Sequence, residues 1–135
     1  MCLNIDSKKT DAVKLKLSKD GFIIGYKILS FYNNVLSSTI FNIKPWKNGW
    51  NLSSRRGGTK LIKREKMCQE IYRGIHVFLN RPPKSFIGIG DYVIVRVKCY
   101  PKHFVAAGGI YSKLPGGVFT KVFLDEKDYR KAIGG

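Results

Sequence analysis

Acidic residues are scarce in this 135-residue chain, which has 9 Asp and Glu against 25 Lys and Arg and a formal net charge of +16. Between Gly21 and Leu124 only Glu65, Glu70 and Asp91 remain, against 17 Lys and Arg. So few carboxylates exclude the paired acids that general acid–base hydrolysis requires. Because like charges repel one another in the folded state, the excess of positive charge predicts an anionic partner.

Cysteine and histidine are also few. The three cysteines, Cys2, Cys68 and Cys99, are far apart in the chain and odd in number, and no two have the CxxC spacing of a zinc site. The only histidines are His76 and His103. We therefore predict no metal, no cofactor and no disulfide framework, and the thiols indicate a reducing compartment.

Long apolar runs are missing too. No stretch reaches the roughly 20 apolar residues of a membrane-spanning helix, and Asp6 follows soon after the opening residues. We therefore expect a protein that is neither secreted nor membrane-spanning. Hydrophobic residues still make up 44% of the chain. This share predicts one folded domain over residues 1–135, in which residues 1–20 form an edge strand or a loosely packed arm.

Alternating apolar side chains predict a chain made mostly of strands. In the clearest one, residues 92–100, Val93, Val95, Val97 and Cys99 face the core. The other predicted strands cover residues 22–29, 35–43, 74–79, 104–107 and 118–124. Turn residues stand at Asn33-Asn34, at Asn48-Gly49 (a hairpin signal), at Gly108-Gly109 and at Pro115-Gly116-Gly117.

Helical features are fewer. Residues 60–72 place Leu61, Cys68, Ile71 and Tyr72 on one side of a short helix, and residues 126–133 form a C-terminal helix with Asp125 as its N-cap. Six or seven strands with one or two helices predict an α+β fold with a mainly antiparallel sheet.

The segment from Lys44 to Arg73 is a candidate binding region, with nine Lys and Arg against two acids and Trp46 and Trp50 at its front. Cations that neutralise phosphates and rings that stack on bases are what binding of single-stranded nucleic acid requires. A solvated turn at residues 53–58, and half-buried hairpin tryptophans, are the alternatives. The anion-binding candidates in this segment are Lys47, Arg55, Arg56, Lys60, Lys63, Arg64, Lys66 and Arg73.

The polar face of the strand at residues 92–100 is a second candidate. Arg96 and Lys98 stand there between Tyr92 and Tyr100, a composition similar to the aromatic and basic surface of sheet-type RNA binders. Ordinary cross-strand pairing is the alternative. Both regions predict nucleic acid or an acidic protein surface as the partner, and neither specifies an oligomeric state.

The sequence has a Met-Cys-Leu start, the segments Gly25–Leu29 and Gly74–Phe78, and a Val-rich closing strand. Together these motifs resemble small uncharacterised proteins of phages and large DNA viruses. The resemblance implies a non-enzymatic viral accessory protein, such as a host-defence antagonist, in the host cytoplasm. The alternative that it implies is a minor capsid or cement component of the virion.

Tyr26 in the first predicted strand and the later segment Gly74-Ile75-His76 form another pattern. It is similar to that of compact ADP-ribosyltransferase-like domains, which place a Tyr or His near a first strand and a Gly-x-His/Tyr segment later. That resemblance implies that Tyr26 and His76 face a nicotinamide cofactor. The catalytic glutamate of those domains has no counterpart here except Glu126, which stands at the predicted start of a helix. An ADP-ribosyl-transferring enzyme is therefore the alternative to a binding protein.

Overall fold

The computed structural model describes residues 3–38, 45–52, 61–64, 68–71, 74–86, 92–110 and 114–134. These residues form eleven strands and two α-helices. In chain order the elements are β1 Leu3–Ile5, α1 Ser7–Asp20, β2 Ile23–Tyr32, β3 Val35–Ser38, β4 Gly49–Leu52, β5 Leu61–Arg64, β6 Cys68–Ile71, β7 Ile75–Phe78, β8 Tyr92–Cys99, β9 Phe104–Ile110, β10 Leu114–Phe119, β11 Lys121–Leu124 and α2 Glu126–Gly134.

All eleven strands belong to one sheet, and every strand pair is antiparallel. The strand order is β4-β11-β8-β2-β7-β10-β9-β1-β6-β5, with β3 paired to β2 outside this path. The predicted α+β class, the antiparallel sheet and the C-terminal helix are confirmed. The expected number of strands was too small, because three-to-four-residue strands such as β1 and β4 are too short to show a clear alternation.

The sheet is curled rather than flat. Only Thr120 separates β10 from β11, yet β8, β2 and β7 lie between them in the sheet. Strands about 4.8 Å apart would place β10 and β11 roughly 19 Å from each other in a flat sheet, whereas one linking residue spans about 7 Å. The chain therefore turns a corner at Thr120. The Thr120 N–H donates to the His103 carbonyl at 2.9 Å, where the short connection from β8 to β9 turns as well.

The inner face of the curled sheet carries the larger core. Alternate residues of β2, β7, β8 and β11 meet there, and α1 and α2 pack against them through Val13, Leu17, Tyr129, Ala132 and Ile133. The buried sheet residues of this core are Ile23, Leu29, Leu36, Ile75, Val77, Val95, Val97, Cys99, Phe119, Val122 and Leu124. We call the opposite side of the sheet the outer face. It carries a second, smaller cluster of Leu3, Phe78, Ala106, Ile110 and Val118.

Residues 7–20 form a helix, so the predicted edge strand or loose arm is wrong. The Asp6 side chain caps the helix by accepting from the Lys9 N–H at 3.1 Å, and Gly21 ends it with a left-handed φ of 82°. Val13 and Leu17, four residues apart, face the core, while Leu15 is 72% exposed. The alternation of Val13, Leu15 and Leu17 was therefore misleading, because Leu15 does not share their environment.

β1 lies deep in the sheet, between β9 and β6. The close packing around β1 explains why glycine occurs at two positions that were predicted to form turns. Gly108 is inside β9 opposite Ile5, and a Cβ there would collide with the Asn4 carbonyl group. Gly116 is inside β10, where a Cβ would collide with the Ile110 side chain. These glycines are needed for close packing in strands and not for turns.

The helix predicted at residues 60–72 is also wrong. Residues 61–64 and 68–71 pair with each other as β5 and β6, and the remaining residues of that segment are outside the described ones. Leu3 of β1 pairs with Ile71 on one side and with Ile110 on the other. β6 therefore pairs with the edge of β1 that β9 leaves free. This pairing between distant parts of the chain overrides the weak helical periodicity of residues 60–72.

Several local predictions are confirmed. Asn33 and Asn34 have φ values of 50° and 62° and join β2 to β3 as a two-residue turn. The Asp125 side chain accepts from the Lys127 N–H at 3.2 Å at the start of α2. Two other predictions differ from the structure. Asn48 lies in a bend, but the strand that follows it, β4, pairs with β11, and no hairpin partner for β4 lies within the described residues before it. Residues 118–124 form two strands instead of one, with the corner at Thr120 between them.

Candidate nucleic-acid interface

The outer face of β8 presents a line of polar and aromatic residues, as the alternation of that strand predicted. Val95, Val97 and Cys99 are buried on the inner face, whereas Arg96 is exposed and Lys98 half-buried on the other. Arg96 pairs with Tyr26 of β2, and Lys98 is flanked by Ile24 of β2 and Phe123 of β11. The strand register therefore places these cations in the middle of a four-stranded surface formed by β4, β11, β8 and β2.

A connected group of aromatic rings covers one end of this surface. The Trp50 ring lies 5.6 Å from Tyr100, 5.5 Å from His103 and 5.3 Å from Phe123 between centroids, and Tyr100 lies 5.9 Å from Phe22. Trp50 is 43% exposed and Phe22 is 39% exposed. Large rings usually serve the core. Two open rings within one connected group are therefore unusual for a purely structural cluster.

The position of Trp50 follows from the structure of the bend before it. The buried Asn51 side chain accepts from the Lys47 N–H at 3.1 Å and donates to the Lys47 carbonyl at 2.8 Å and to the Gly49 carbonyl at 3.3 Å. Gly49 has a φ of 92°, a conformation that favours glycine. With Asn51 on the inner face opposite Val122, Trp50 points to the outer face beside Phe123.

Cations stand among these rings. The Lys98 Nζ lies 5.6 Å from the centroid of the Phe22 ring, within the range of a cation–π contact. The same Nζ is 3.5 Å from the Asp125 carboxylate, and both side chains are partly exposed, so this ion pair is weak and its partners can exchange. Lys121 precedes Phe123 on the same face of β11. We call the residues Phe22, Trp50, Arg96, Lys98, Tyr100 and Lys121 the sheet platform.

His103 stands at the edge of the sheet platform in edge-on contact with Trp50. Partial burial lowers the pKa of its imidazole below 6.5, and the positive charges of Lys121 and Lys102 lower this pKa further. His103 is therefore mostly neutral at pH 7. It becomes an additional cation of the platform only in acidic solution.

The structure brings together only some of the residues predicted from the sequence. Trp50, Lys98 and Tyr100 lie together at one end of the sheet platform, and Arg96 lies about 7 Å along β8 from Lys98 on the same face. Tyr92, at the other end of β8, lies about 26 Å along the strand from Tyr100. Trp46 is a correction: its ring is 7% exposed and packed in the larger core, where it offers no open face for stacking.

The other predicted cations lie away from this group or outside the described residues. Lys47 is exposed in the bend before β4, and Lys63 and Arg64 belong to β5 at the far edge of the sheet. The remaining predictions, Arg55, Arg56, Lys60, Lys66 and Arg73, fall outside the described residues.

Four residues of this region were missed from the sequence: Phe22, His103, Lys121 and Phe123. The sequence does contain a pattern that predicts the positions of Lys121 and Phe123. Val122 and Leu124 are apolar and face the core, and alternation along a strand places Lys121 and Phe123 on the opposite face. Phe22 and His103 carry no such signal. Both residues lie outside the strands. The pairing of β2 with β8 brings Phe22 next to the platform, and the chain corner at Thr120, whose N–H donates to the His103 carbonyl, does the same for His103.

Tyr26 and His76, implied by the resemblance to ADP-ribosyltransferase-like domains, lie on the neighbouring strands β2 and β7. His76 is buried, with Nδ1 3.2 Å from the Gly74 carbonyl oxygen. Tyr26 packs against the smaller cluster. Glu126 stands in the first turn of α2 and forms a 2.7 Å ion pair with Arg130, as suits an acid at the start of a helix.

Other chemical features of the described residues are limited. No group of three His, Cys, Asp or Glu side chains within them is arranged to hold a metal ion. Cys99 is a free thiol whose pKa is raised to about 12 by burial, so it stays protonated at neutral pH. Neither α1 nor α2 has the length and apolar character that crossing a membrane requires.

The chain matches no protein-family model, and neither the curated proteins nor the solved structures that were compared with it provide a match. The resemblances to viral proteins and to ADP-ribosyltransferase-like domains therefore stay predictions.

Proposed function

We propose that this protein is a non-enzymatic nucleic-acid-binding protein whose contact surface is centred on the sheet platform. The observation that carries the proposal is that Lys98 and Lys121 lie among the rings of Trp50, Tyr100 and Phe22 on one sheet face, with Arg96 two residues along β8 from Lys98 on the same face. Cations beside open rings match both parts of a nucleotide, because phosphates attract the cations and bases stack on the rings.

The charge of the whole chain supports the same partner. A net charge of +16 favours association with a polyanion over long distances and speeds the encounter. Among the described residues, Asp125 lies within ion-pairing distance of the platform cation Lys98, and because its side chain is 41% exposed a phosphate can replace it in this weak pair. A bound phosphate there interacts with Lys98 without an unfavourable rearrangement of the core.

A salt titration tests the proposal. Affinity for a labelled oligonucleotide, measured by fluorescence anisotropy, should fall linearly with the logarithm of salt concentration. The expected slope is about −0.9 per neutralised phosphate on a duplex and about −0.7 on a single strand. Replacing Arg96, Lys98 and Lys121 together by Ala should make this slope shallower by about 2 to 3. No binding at low salt would contradict the proposal.

A variant with the same loss of charge provides the matched control. The triple replacement of Arg55, Arg56 and Lys60 by Ala also removes three positive charges, from the loop that the sequence predicted to bind anions. Both triple variants should weaken binding through the overall charge, and neither should unfold the protein. A centre on the platform requires the larger loss from the Arg96, Lys98 and Lys121 variant. A larger loss from the loop variant would move the site to the loop.

An acidic protein surface is the competing partner, and poly-glutamate represents it in the same assay. If charge alone determines the affinity, the protein should bind poly-glutamate and an oligonucleotide of equal charge with similar affinity. Contacts with bases add affinity for the oligonucleotide only. Equal affinities would favour an acidic protein partner.

A further inference from the structure

We infer that the sheet platform binds unpaired bases, so that the ligand is single-stranded nucleic acid and the exposed rings of Trp50 and Phe22 each accept a separate base, while the half-buried Tyr100 contacts both rings. This inference rests on the proposed function and specifies its ligand. It depends on three features of the rings: their exposure, their spacing and their relative tilt.

The exposure of Trp50 and Phe22 favours contact with the bases of a nucleic acid over contact with its backbone. Trp50 and Phe22 are 43% and 39% exposed, and the Lys98 ammonium lies 5.6 Å from the centroid of the Phe22 ring. In a duplex, base faces are covered by the neighbouring base pairs, and a protein meets only base edges and phosphates. A flat open ring gains its stacking energy only from a base whose face is free.

The spacing of the rings does not fit a stacked duplex. Tyr100 lies 5.6 Å from Trp50 and 5.9 Å from Phe22 between centroids, whereas successive nucleotides of a duplex strand rise by about 3.4 Å. The planes of these pairs are also tilted, by 51° for Trp50 and Tyr100 and by 40° for Phe22 and Tyr100. A continuous stack of parallel bases cannot lie across these tilted rings, but separately oriented bases of a flexible strand can lie on Trp50 and Phe22.

The cations are placed to hold the backbone of such a strand. Lys98 and Arg96 lie two residues apart on one face of β8, and Lys121 lies on β11 across the platform from them. The cation–π contact of Lys98 with Phe22 keeps this ammonium group next to a ring. A phosphate bound by Lys98 therefore belongs to a nucleotide whose base is within reach of Phe22 or Tyr100.

The test compares three ligands with equal numbers of phosphates on the unaltered protein: oligothymidylate, a duplex of half its length and an oligomer of abasic phosphodiester units. The abasic oligomer keeps the phosphates and lacks the bases. Oligothymidylate should bind most tightly, and the abasic oligomer should bind less tightly by roughly 5- to 100-fold for each stacked base that is lost. This comparison needs no variant and thus does not depend on how well a variant folds.

Trp50→Ala and the matched control Tyr32→Ala assign the effect to the platform. Tyr32 is an exposed ring at the far end of β2, about 33 Å along the strand from Phe22. Trp50→Ala should lower the affinity for oligothymidylate by roughly 5- to 100-fold and leave the abasic oligomer unaffected. Tyr32→Ala should change neither affinity. Thermal unfolding of both variants checks that each of them is folded. Phe22→Ala is a second platform variant, and the same selective loss of affinity in it would exclude a folding defect of one variant as the cause.

Three results would contradict the inference, and they differ in what they mean for the proposed function. If all three ligands bind at low salt with equal affinity, the inference about single strands is wrong and the proposed binding of nucleic acid stands. If none binds at low salt, the proposed function fails and the inference fails with it. Tighter binding of the duplex than of oligothymidylate would also overturn the inference.

Discussion

The Lys27 ammonium donates a hydrogen bond to the backbone carbonyl of His76 at 2.9 Å, inside the larger core. Tyr26 and Phe78 form the pair that joins β2 to β7. Next to this pair, the lysine side chain bonds the carbonyl of His76 across the two strands. The buried carbonyl is thereby satisfied, but an ammonium group remains in an apolar environment.

The first prediction concerns the pH dependence of stability. Burial lowers the pKa of Lys27 from 10.5 to about 8. Between these two values the unfolded chain binds more protons than the folded one, so the free energy of unfolding rises as pH increases from about 8 to 10.5. Below pH 8 the penalty for the buried charge is fully present.

Lys27→Met removes this dependence. Between pH 7 and pH 10, the free energy of unfolding of the wild type should rise by about 2–3 kcal/mol more than that of the variant. Urea denaturation at several pH values measures both. The two proteins differ at position 27 alone, so contributions that are common to both cancel in the difference. Parallel curves would show that Lys27 is not buried as a charged group.

The second prediction tests the two faces of β8. Val95→Ala should lower the free energy of unfolding by about 1–3 kcal/mol, because it removes two buried methyl groups from the larger core. Arg96→Ala, one residue along on the outer face, should change it by less than about 0.5 kcal/mol. Chemical denaturation of the two variants provides the comparison. The reverse order of effects would mean that the faces of β8 are exchanged.

The third prediction concerns the pH dependence of binding. Because partial burial, Lys121 and Lys102 keep the pKa of His103 below 6.5, this residue is mostly neutral at pH 7 and gains a proton in acidic solution. The additional charge lies beside Trp50, so the affinity for oligothymidylate should increase as the pH falls from 7 to about 5. In His103→Gln the affinity should vary less over that range, since phosphodiesters do not titrate there. The same increase in both proteins would exclude His103 as its source.

The fourth prediction concerns the contact between β1 and β9. Gly108→Ala should destabilise the protein by at least about 1–3 kcal/mol, because the new methyl group collides with the backbone of Asn4 and not with a flexible side chain. Gly134→Ala is the control, since an added Cβ at the end of α2 meets no atom within 4 Å. Thermal unfolding should separate the two clearly. Equal melting temperatures would place β1 away from Gly108.

Local patterns were sufficient where one residue's environment follows from its neighbours in the chain. Val95, Val97 and Cys99 alternate with Arg96 and Lys98, and the pleat of a strand separates the two sets. The pair Asn33-Asn34 favours positive φ, and Asp125 suits a helix start. The same reasoning failed for residues 7–20, because the exposed Leu15 extends an apparent alternation of apolar residues in a segment that is helical. It also failed for β5 and β6, because Ile71 pairs with Leu3 of β1, a contact between residues far apart in the chain.

The sequence by itself determined the large positive charge, the acid-poor middle, the antiparallel α+β class and the orientation of β8, because these depend on composition or on short periodic patterns. Only the tertiary structure decided that Trp46 is buried and Trp50 open, and that Phe22, Trp50, Tyr100 and Phe123 meet. Those rings are far apart in the chain, and long-range pairing of β4, β11, β8 and β2 brings them together. No local pattern records such pairing, since it depends on which strand edges remain free after the rest of the chain has folded.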